Sequence, residues 1–486
     1  MKISIRTYSS PTGDLIVPLL QTDALPGQLT QLAGLLNVSA DALQRDFKAE
    51  RSEVLPLYQP NGHKTYLLGL GKNPLAMDWL RAFRKLIHDQ KARLSAQVSV
   101  DLRGVDADLI EAVAAGMLGG TYDLGLYKSG KSELPALLTD AGHVTLLVDP
   151  DQKETAEAAL HRADVLANTT RQMLDFMNAP ANRKTPEKLG EWAAKSGREN
   201  GYVVTVLHKA DLEAQGLGAL LSVSNGSDVP PVLIVMDYQP AGVENAPVVG
   251  LVGKGVTFDT GGVSIKQSNN MHLMKSDMGG AAAVLGTVDA AARLKLPVRV
   301  IGVVPATENS TDGRSTKPGD VITSYSGKTI EIIDTDAEGR VILADGLSYL
   351  LKQYQPNTLI DLATLTGSVV STLGYHAAGM FTNNDALASQ LSEAGERTGE
   401  RLWRLPLWDA YKDDIQSDVA DVKNFHGKPI NGAIAAAKFL EFFTDEHPAW
   451  AHLDMAGTAF GDTEFGTQKN ATGFGIRLLI DYLRSL

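Results

Sequence analysis

The stretch IEIIDTDAEGR, residues 330–340, closes an apolar β-branched run with three carboxylates, a glycine and an arginine. Asp334, Asp336 and Glu338 alternate, so an extended backbone points all three the same way. Carboxylates held that close repel unless a cation lies between them or protons are retained. Oxygen-rich clusters of this kind hold divalent metals; the plainer alternative is a solvated acidic turn. A second stretch, GLVGKGVTFDTGGVSIKQSNNMHLMKSDMGGAAA at 250–283, adds Asp259 and Asp277, with Lys254 and Lys266 beside them. The negative charges of Asp259, Asp277, Asp336 and Glu338 together balance two divalent cations. Such a pair activates a bridging water and polarises a carbonyl or phosphoryl oxygen. Lys266 and Arg340 suit the stabilisation of an oxyanion or the orientation of a small anion, unless each only pairs with a nearby carboxylate.

These residues need elements to position them. Apolar runs at 248–252 and 329–333 each precede helix-forming sequence, and TLIDLATLTG at 358–367 ends in the same way. This is the strand–helix alternation of an α/β protein with a mostly parallel sheet, where sites form at the carboxyl ends of strands. Three strand ends are therefore expected to converge on one crevice. Gly261, Gly262, Gly279 and Gly280 read as turn and close-approach residues around it. Residues 1–150 alternate short strands (15–19, 65–70, 98–102, 144–148) with helical stretches such as 77–94, a small α/β domain of their own. Residues 151–177 read as a connecting helix stopped by Pro180, and 178–486 as the larger domain.

Composition excludes several classes. The chain has 486 residues, 44% of them hydrophobic, which supports large cores and opposes disorder. Its net charge of −12, from 57 acidic and 45 basic residues, opposes nucleic acid as the main partner. No run long enough to span a membrane is present, and the N-terminus lacks the pattern of a secretory leader. With no cysteine there is no disulfide, thiolate metal site or cysteine nucleophile, which fits a cytoplasmic location. Among ten histidines there is no H-E-x-x-H; His272, near Asp277, reads as a surface or packing residue. G-x-S-x-G is absent as well. GLYKSGKS, with Gly125, Gly130, Lys131 and Ser132, has P-loop spacing, but no buried strand precedes it and little room for a helix follows, so it reads as a basic surface loop.

The segments GKGVTFDTGGVSIK, MKSDMGGAA, DTDAEGR, ATLTG, WRLPLWDAY and AHLDMAGTA, with MNAPANRKTP and GALLSVSNGSDVPP, together resemble the cytosol-type leucine aminopeptidases. These are di-metal enzymes that remove N-terminal residues from peptides. The likeness runs from about 170 to 486; before that, LLGLGK at 67–72 is the best echo.

The resemblance implies a small macro-like N-terminal α/β domain and a catalytic α/β domain with a mostly parallel central sheet. It implies two divalent ions per subunit, Zn or Mn before Mg or Co. One ion would be ligated tightly by Lys254, Asp259, Asp277 and Glu338. The other would be exchangeable, on Asp259, Glu338, and the carboxylate and main-chain carbonyl of Asp336. Lys266 would help polarise the scissile carbonyl, and Arg340 would anchor a bicarbonate acting as general base. The substrate amine would meet the tight site and Asp277. Met274, Thr364, Leu365, Gly367, Ala456 and Ala459 would line a small apolar pocket for the first side chain, favouring leucine or methionine with broad tolerance. A homohexamer acting on peptides is implied too.

Two other functions share parts of this pattern: a different di-metal hydrolase such as a phosphoesterase, and a DNA-binding regulatory role as a second function. The chain departs from the family's usual NTDAEGRL at Asp334 and Val341, and from a commonly acidic residue at His272. Asp334 is expected to be ionised near the metals and to strengthen cation binding; the alternative is a turn carboxylate that does not sense them.

Overall fold

A computed structural model describes residues 1–7, 10–130, 133–243, 245–462 and 465–486; Lys131 and Ser132 of the P-loop-like stretch lie outside them. The chain divides into two compact units, Met1–Arg171 and Gln172–Leu486. The boundary falls within one long helix, Lys153–Asn178.

In the first unit, six strands lie in the order Lys2–Thr7, His143–Val148, Gln97–Asp101, Asp14–Leu19, Lys64–Gly69 and Val54–Tyr58. All neighbours are parallel except the last pair. Helix Ala76–Gln90 buries Trp79, Leu80, Phe83, Leu86 and Ile87, a stripe at helical spacing that joins the core beneath the sheet. The helix begins where the Asp78 carboxylate accepts from Leu75 N at 2.9 Å.

The second unit is built on a nine-stranded sheet. Its order is Leu402–Arg404, Ala378–Thr382, Trp450–Asp454, Thr358–Ala363, Val248–Gly253, Arg299–Asn309, Val232–Tyr238 and Val203–Leu207, and Gly255–Asp259 pairs with the end of Arg299–Asn309. The centre, from Trp450–Asp454 to Arg299–Asn309, is parallel, as is the pairing of Gly255–Asp259. This is the α/β architecture with a mostly parallel sheet that the sequence predicts.

Two buried helices cover the central strands. Gly279–Arg293 packs where Gly253 points, and Glu338–Tyr354 where its neighbour Val252 points. Successive strand residues face opposite ways, so the helices lie on opposite faces. The first approaches so closely that a Cβ on Gly280 would lie 1.9 Å from the Leu362 carbonyl oxygen. This accounts for the MGGAAA run, since a larger residue would push the helix off the strand.

One expectation fails. The run before DTDAEGR does not enter the central sheet. Its strand, Thr329–Glu331, belongs to a separate three-stranded sheet with Val321–Thr323 and Val422–Lys423. Thr329–Glu331 pairs instead with Val321–Thr323 and Val422–Lys423, and the apolar run spends its remaining residues in the turn that follows.

Candidate metal centre

The site gathers where parallel strands end. Lys254 follows Val248–Gly253, Asp259 ends Gly255–Asp259, and Thr364 follows Thr358–Ala363. Asp277 closes a short 3-10 turn, Met271–Ser276, just before helix Gly279–Arg293. Glu338 is the first residue of its helix. Asp334, Asp336 and Glu338 do not share a strand face, which corrects the extended reading of that segment. The backbone turns at 335–336 and then coils. Asp334 Oδ1 accepts from Asp336 N at 2.9 Å, forming a turn closed by its own side chain. Asp336 and Glu338 still meet Asp259: one carboxylate oxygen from each lies within 4.8 Å of the others.

Two ammonium groups sit among these carboxylates. Lys254 Nζ is 2.7 Å from Asp277 Oδ2 and 2.9 Å from Glu338 Oε1. Lys266 Nζ is 2.9 Å from Asp259 Oδ2 and also pairs with Asp336. Burial opposes both charges, but Asp277, Glu338 and Asp259 hold the Lys254 pKa above the ordinary lysine value. Asp259, Glu338 and Asp336 do the same for Lys266. On the acid side, burial pushes Asp277 up to about 8 and Asp336 up to about 7, and raises Glu338 as well. Without cations beyond these lysines, the cluster holds protons.

The residues fit divalent ions. Glu338 Oε2 is buried and has no hydrogen-bond partner, which leaves it open to a cation. The donors are carboxylates, joined by an amine once Lys254 gives up its proton, a set suited to Zn, Mn, Mg or Co. Asp259 is aimed by its other oxygen, which accepts from Gly261 N and Asn309 Nδ2, each at 2.8 Å. Gly261 has φ +86°, and a Cβ there would lie 2.9 Å from Asp336 Oδ1; glycine alone meets both demands.

Arg340 lies on the helix that starts at Glu338. Its Nη1 donates to Asn424 O at 2.9 Å. Its Nε is buried without a partner, and burial lowers its pKa to about 10. A buried guanidinium with a free donor favours an anion beside it.

Several of the pocket candidates are neighbours of Asp277 or Asp454. Thr364 Oγ1 donates to Asp277 Oδ1 at 2.8 Å. A Cβ on Gly279 would lie 3.0 Å from both Thr364 and Ala459. Met274 sits in the turn that carries Asp277 and accepts from Asp277 N at 3.3 Å. Leu365 and Ala456 hang from one carboxylate, Asp454, and Gly367 opens helix Gly367–Leu373. His272 is exposed, as a surface residue would be.

The sequence reading passed over several residues that hold this centre in place. Asn309 is buried at the end of its strand. The Asn424 side chain accepts from Ile333 N at 2.8 Å and donates to Asp334 O at 2.6 Å, fixing the turn that carries Asp336. Lys184 is fully buried and donates to the Lys275 carbonyl in the Asp277 turn; burial lowers its pKa to about 7. Asparagines and lysines outside acidic motifs carry no spacing signal, and these act across 50 to 91 residues of chain.

A carboxylate cluster suited to divalent ions, at the carboxyl edge of a mostly parallel sheet, marks an α/β protein built to hold metal. Comparison with known proteins narrows the class. The profile of the cytosol aminopeptidase family, catalytic domain, matches residues 170–480. A probable cytosol aminopeptidase of Chloroherpeton thalassium is 42% identical over 510 aligned positions, covering all of both chains. Tomato leucine aminopeptidase is similar in structure, with TM-score 0.89 and 31% identity over 100% of this chain and 97% of that one. A bottromycin maturation enzyme in complex with Mn gives TM-score 0.85 and 32% identity over 98% and 99%. The chain belongs to the cytosol aminopeptidase family and is a metal-dependent aminopeptidase. Among the described residues, no helix is long and apolar enough to cross a membrane.

Proposed function

We propose that the chain removes N-terminal residues, leucine and methionine foremost, from peptides, using two divalent ions and an activated water. The observation that carries this reading is the cluster of Asp259, Asp277, Asp336 and Glu338, whose four charges Lys254 and Lys266 offset only by half. Lys254, Asp259, Asp277 and Glu338 would hold one ion, and Asp259, Asp336 and Glu338 the other. When bound, the ions supply an activated water and polarise the scissile carbonyl. The manganese complex of the bottromycin maturation enzyme supports Mn as a ligand here, beside Zn.

The chain's own residues supply the rest. Lys266 gives up its pairing with Asp259 and Asp336 and directs its ammonium at the carbonyl oxygen as charge develops there. Its side chain is 23% exposed, so it can reach a substrate. Asp277, with Thr364 beside it, accepts from the free amine of the substrate, which restricts cleavage to the first residue. Arg340 offers its unpaired Nε to a small anion, bicarbonate in this reading, which takes the proton of the attacking water. The apolar pocket receives the first side chain and discriminates methylene homologues by only ~1–3 kcal/mol, which supports broad specificity.

A homohexamer and a cytoplasmic location are part of the same proposal and rest on the family likeness alone. Light scattering that gives the monomer mass of 51.9 kDa at micromolar concentration would refute the hexamer. The activity is tested with a leucine anilide, free and N-acetylated, after metal loading and with a chelator control. The free amine is cleaved, the acetylated form is not, and the chelator abolishes cleavage. Equal cleavage of both forms rejects the reading.

A further inference from the structure

Strands Thr358–Ala363 and Trp450–Asp454 run parallel, and Ala363 pairs with Asp454 where both leave the sheet. The segments beyond them, 364–367 and 455–459, are the two walls of the proposed pocket. Two loops leaving neighbouring strands have no intrinsic reason to keep a fixed gap. Beyond the main-chain bond from Met455 N to Ala363 O at 2.8 Å, where the strands end, one side chain ties the loops. Asp454 is fully buried. Its Oδ1 accepts from Leu365 N at 3.0 Å and Thr366 N at 3.4 Å on one wall, and from Ala456 N at 3.2 Å on the other. Its Oδ2 accepts from Thr366 Oγ1 at 2.6 Å. That hydroxyl in turn accepts from Val369 N at 3.1 Å and caps helix Gly367–Leu373.

The base of the clamp is fixed as well. Trp450, His452 and Asp454 alternate along their strand and face one way. Asp361, on the neighbouring strand, accepts from Trp450 Nε1 at 2.8 Å and lies 2.6 Å from His452 Nδ1. A pocket is selective only when its walls are held to a fraction of an ångström.

We propose that Asp454 is a positioning residue that sets the width of the first-side-chain pocket and thereby the selectivity among N-terminal residues. This rests on the pocket reading given under Proposed function. Asp454 makes no contact with substrate in this account; it acts through Leu365, Thr366 and Ala456.

The test compares kcat/KM for leucine and alanine anilides in metal-loaded wild type, Asp454→Ala, Asp454→Asn and Thr366→Val, with metal content measured in each. Asp454→Ala lowers the leucine-to-alanine ratio by about tenfold, the scale of methylene discrimination, while metal content stays at the wild-type level. Thr366→Val lowers the ratio in the same direction by a smaller factor. Asp454→Asn retains the oxygen that receives the three N–H groups, and its amide can donate to the Thr366 hydroxyl; it keeps the ratio. A folded Asp454→Ala with an unchanged ratio, or with both substrates slowed equally, overturns the proposal. If Asp454→Ala does not fold, an unchanged ratio in Thr366→Val overturns it. Wild-type protein that cleaves neither free-amine anilide overturns the peptidase reading and this proposal with it. Wild-type activity with unchanged ratios in the variants overturns this proposal alone.

Discussion

The two units share an architecture and differ in what they bury. Both have parallel strands at their centre and helices packed on apolar cores. Among the described residues of the first unit, Asp14 is the single buried charged side chain. Main-chain donors satisfy it: Asp14 accepts from Lys64 N and Ser95 N, each at 2.8 Å. The second unit buries Lys254, Asp259, Asp277, Glu338 and Arg340 within one site. There each carboxylate has a lysine within reach or an oxygen left without a partner. A buried charge satisfied by backbone stabilises a loop. Charges satisfied by one another, with raised carboxylate pKa values, form a site ready to exchange protons for cations. Fold class alone does not distinguish the units; the chemistry at the strand ends does.

The largest effects fall on the shared carboxylate. Glu338→Ala loses metal, measured by elemental analysis, and at least about a thousandfold in kcat, ~4 kcal/mol of transition-state stabilisation. Full metal content with more than a tenth of the activity would break the contrast between the units. Arg340→Ala keeps both ions and loses about a hundredfold in kcat; an empty metal site in that variant would contradict its placement as an anion anchor.

Next comes the effect of pH. In the metal-free chain Asp277 is raised to about 8 and Asp336 to about 7 by burial, and Lys254 is held protonated by its carboxylates. Ions must displace those protons, so apparent metal affinity rises with pH across roughly pH 6 to 9. Affinity that stays flat over that range would show that the lysines and protons do not compete with metal.

Asp14→Ala is the matching change in the first unit. It costs about 1–3 kcal/mol of stability in denaturant unfolding, because two N–H groups lose their acceptor, and leaves metal content unchanged. Loss of metal there would erase the distinction drawn above. The smallest effect belongs to Asp334→Asn. The amide oxygen can accept from Asp336 N as the carboxylate does, so stability shifts by no more than about 0.5 kcal/mol. A large fall in metal affinity would show that the Asp334 charge acts on the ions directly.

The sequence made the α/β class and the carboxylate cluster legible because both leave local marks. Apolar runs precede helix-forming segments, and acids crowd where strands end. It misplaced the 329–333 run, since a three-residue strand in a side sheet looks the same as the start of a longer one. Alternation suggested one strand face for Asp334, Asp336 and Glu338; the Asp334 turn and the helix start at Glu338 replaced it, and two of the three still met. Two N-terminal strands, Lys2–Thr7 and Val54–Tyr58, went unread: the first has only two apolar residues, Ile3 and Ile5, to mark it, and a proline interrupts the second. Asn309, Asn424, Lys184 and Asp454 were invisible because their roles depend on partners many residues away. No spacing rule reaches that far.

In the proposed two-ion reading, Lys254 and Lys266 supply within the carboxylate cluster the positive charge that two divalent ions would bring. The most direct test is a calorimetric titration of the metal-free chain with Mn²⁺, repeated in buffers of different ionisation enthalpy, with each sample then assayed on free-amine leucine anilide. Two ions bind per chain, protons are released as they bind, and cleavage appears only with loading. Binding without proton release, or a fully loaded chain that leaves the anilide intact, would contradict it.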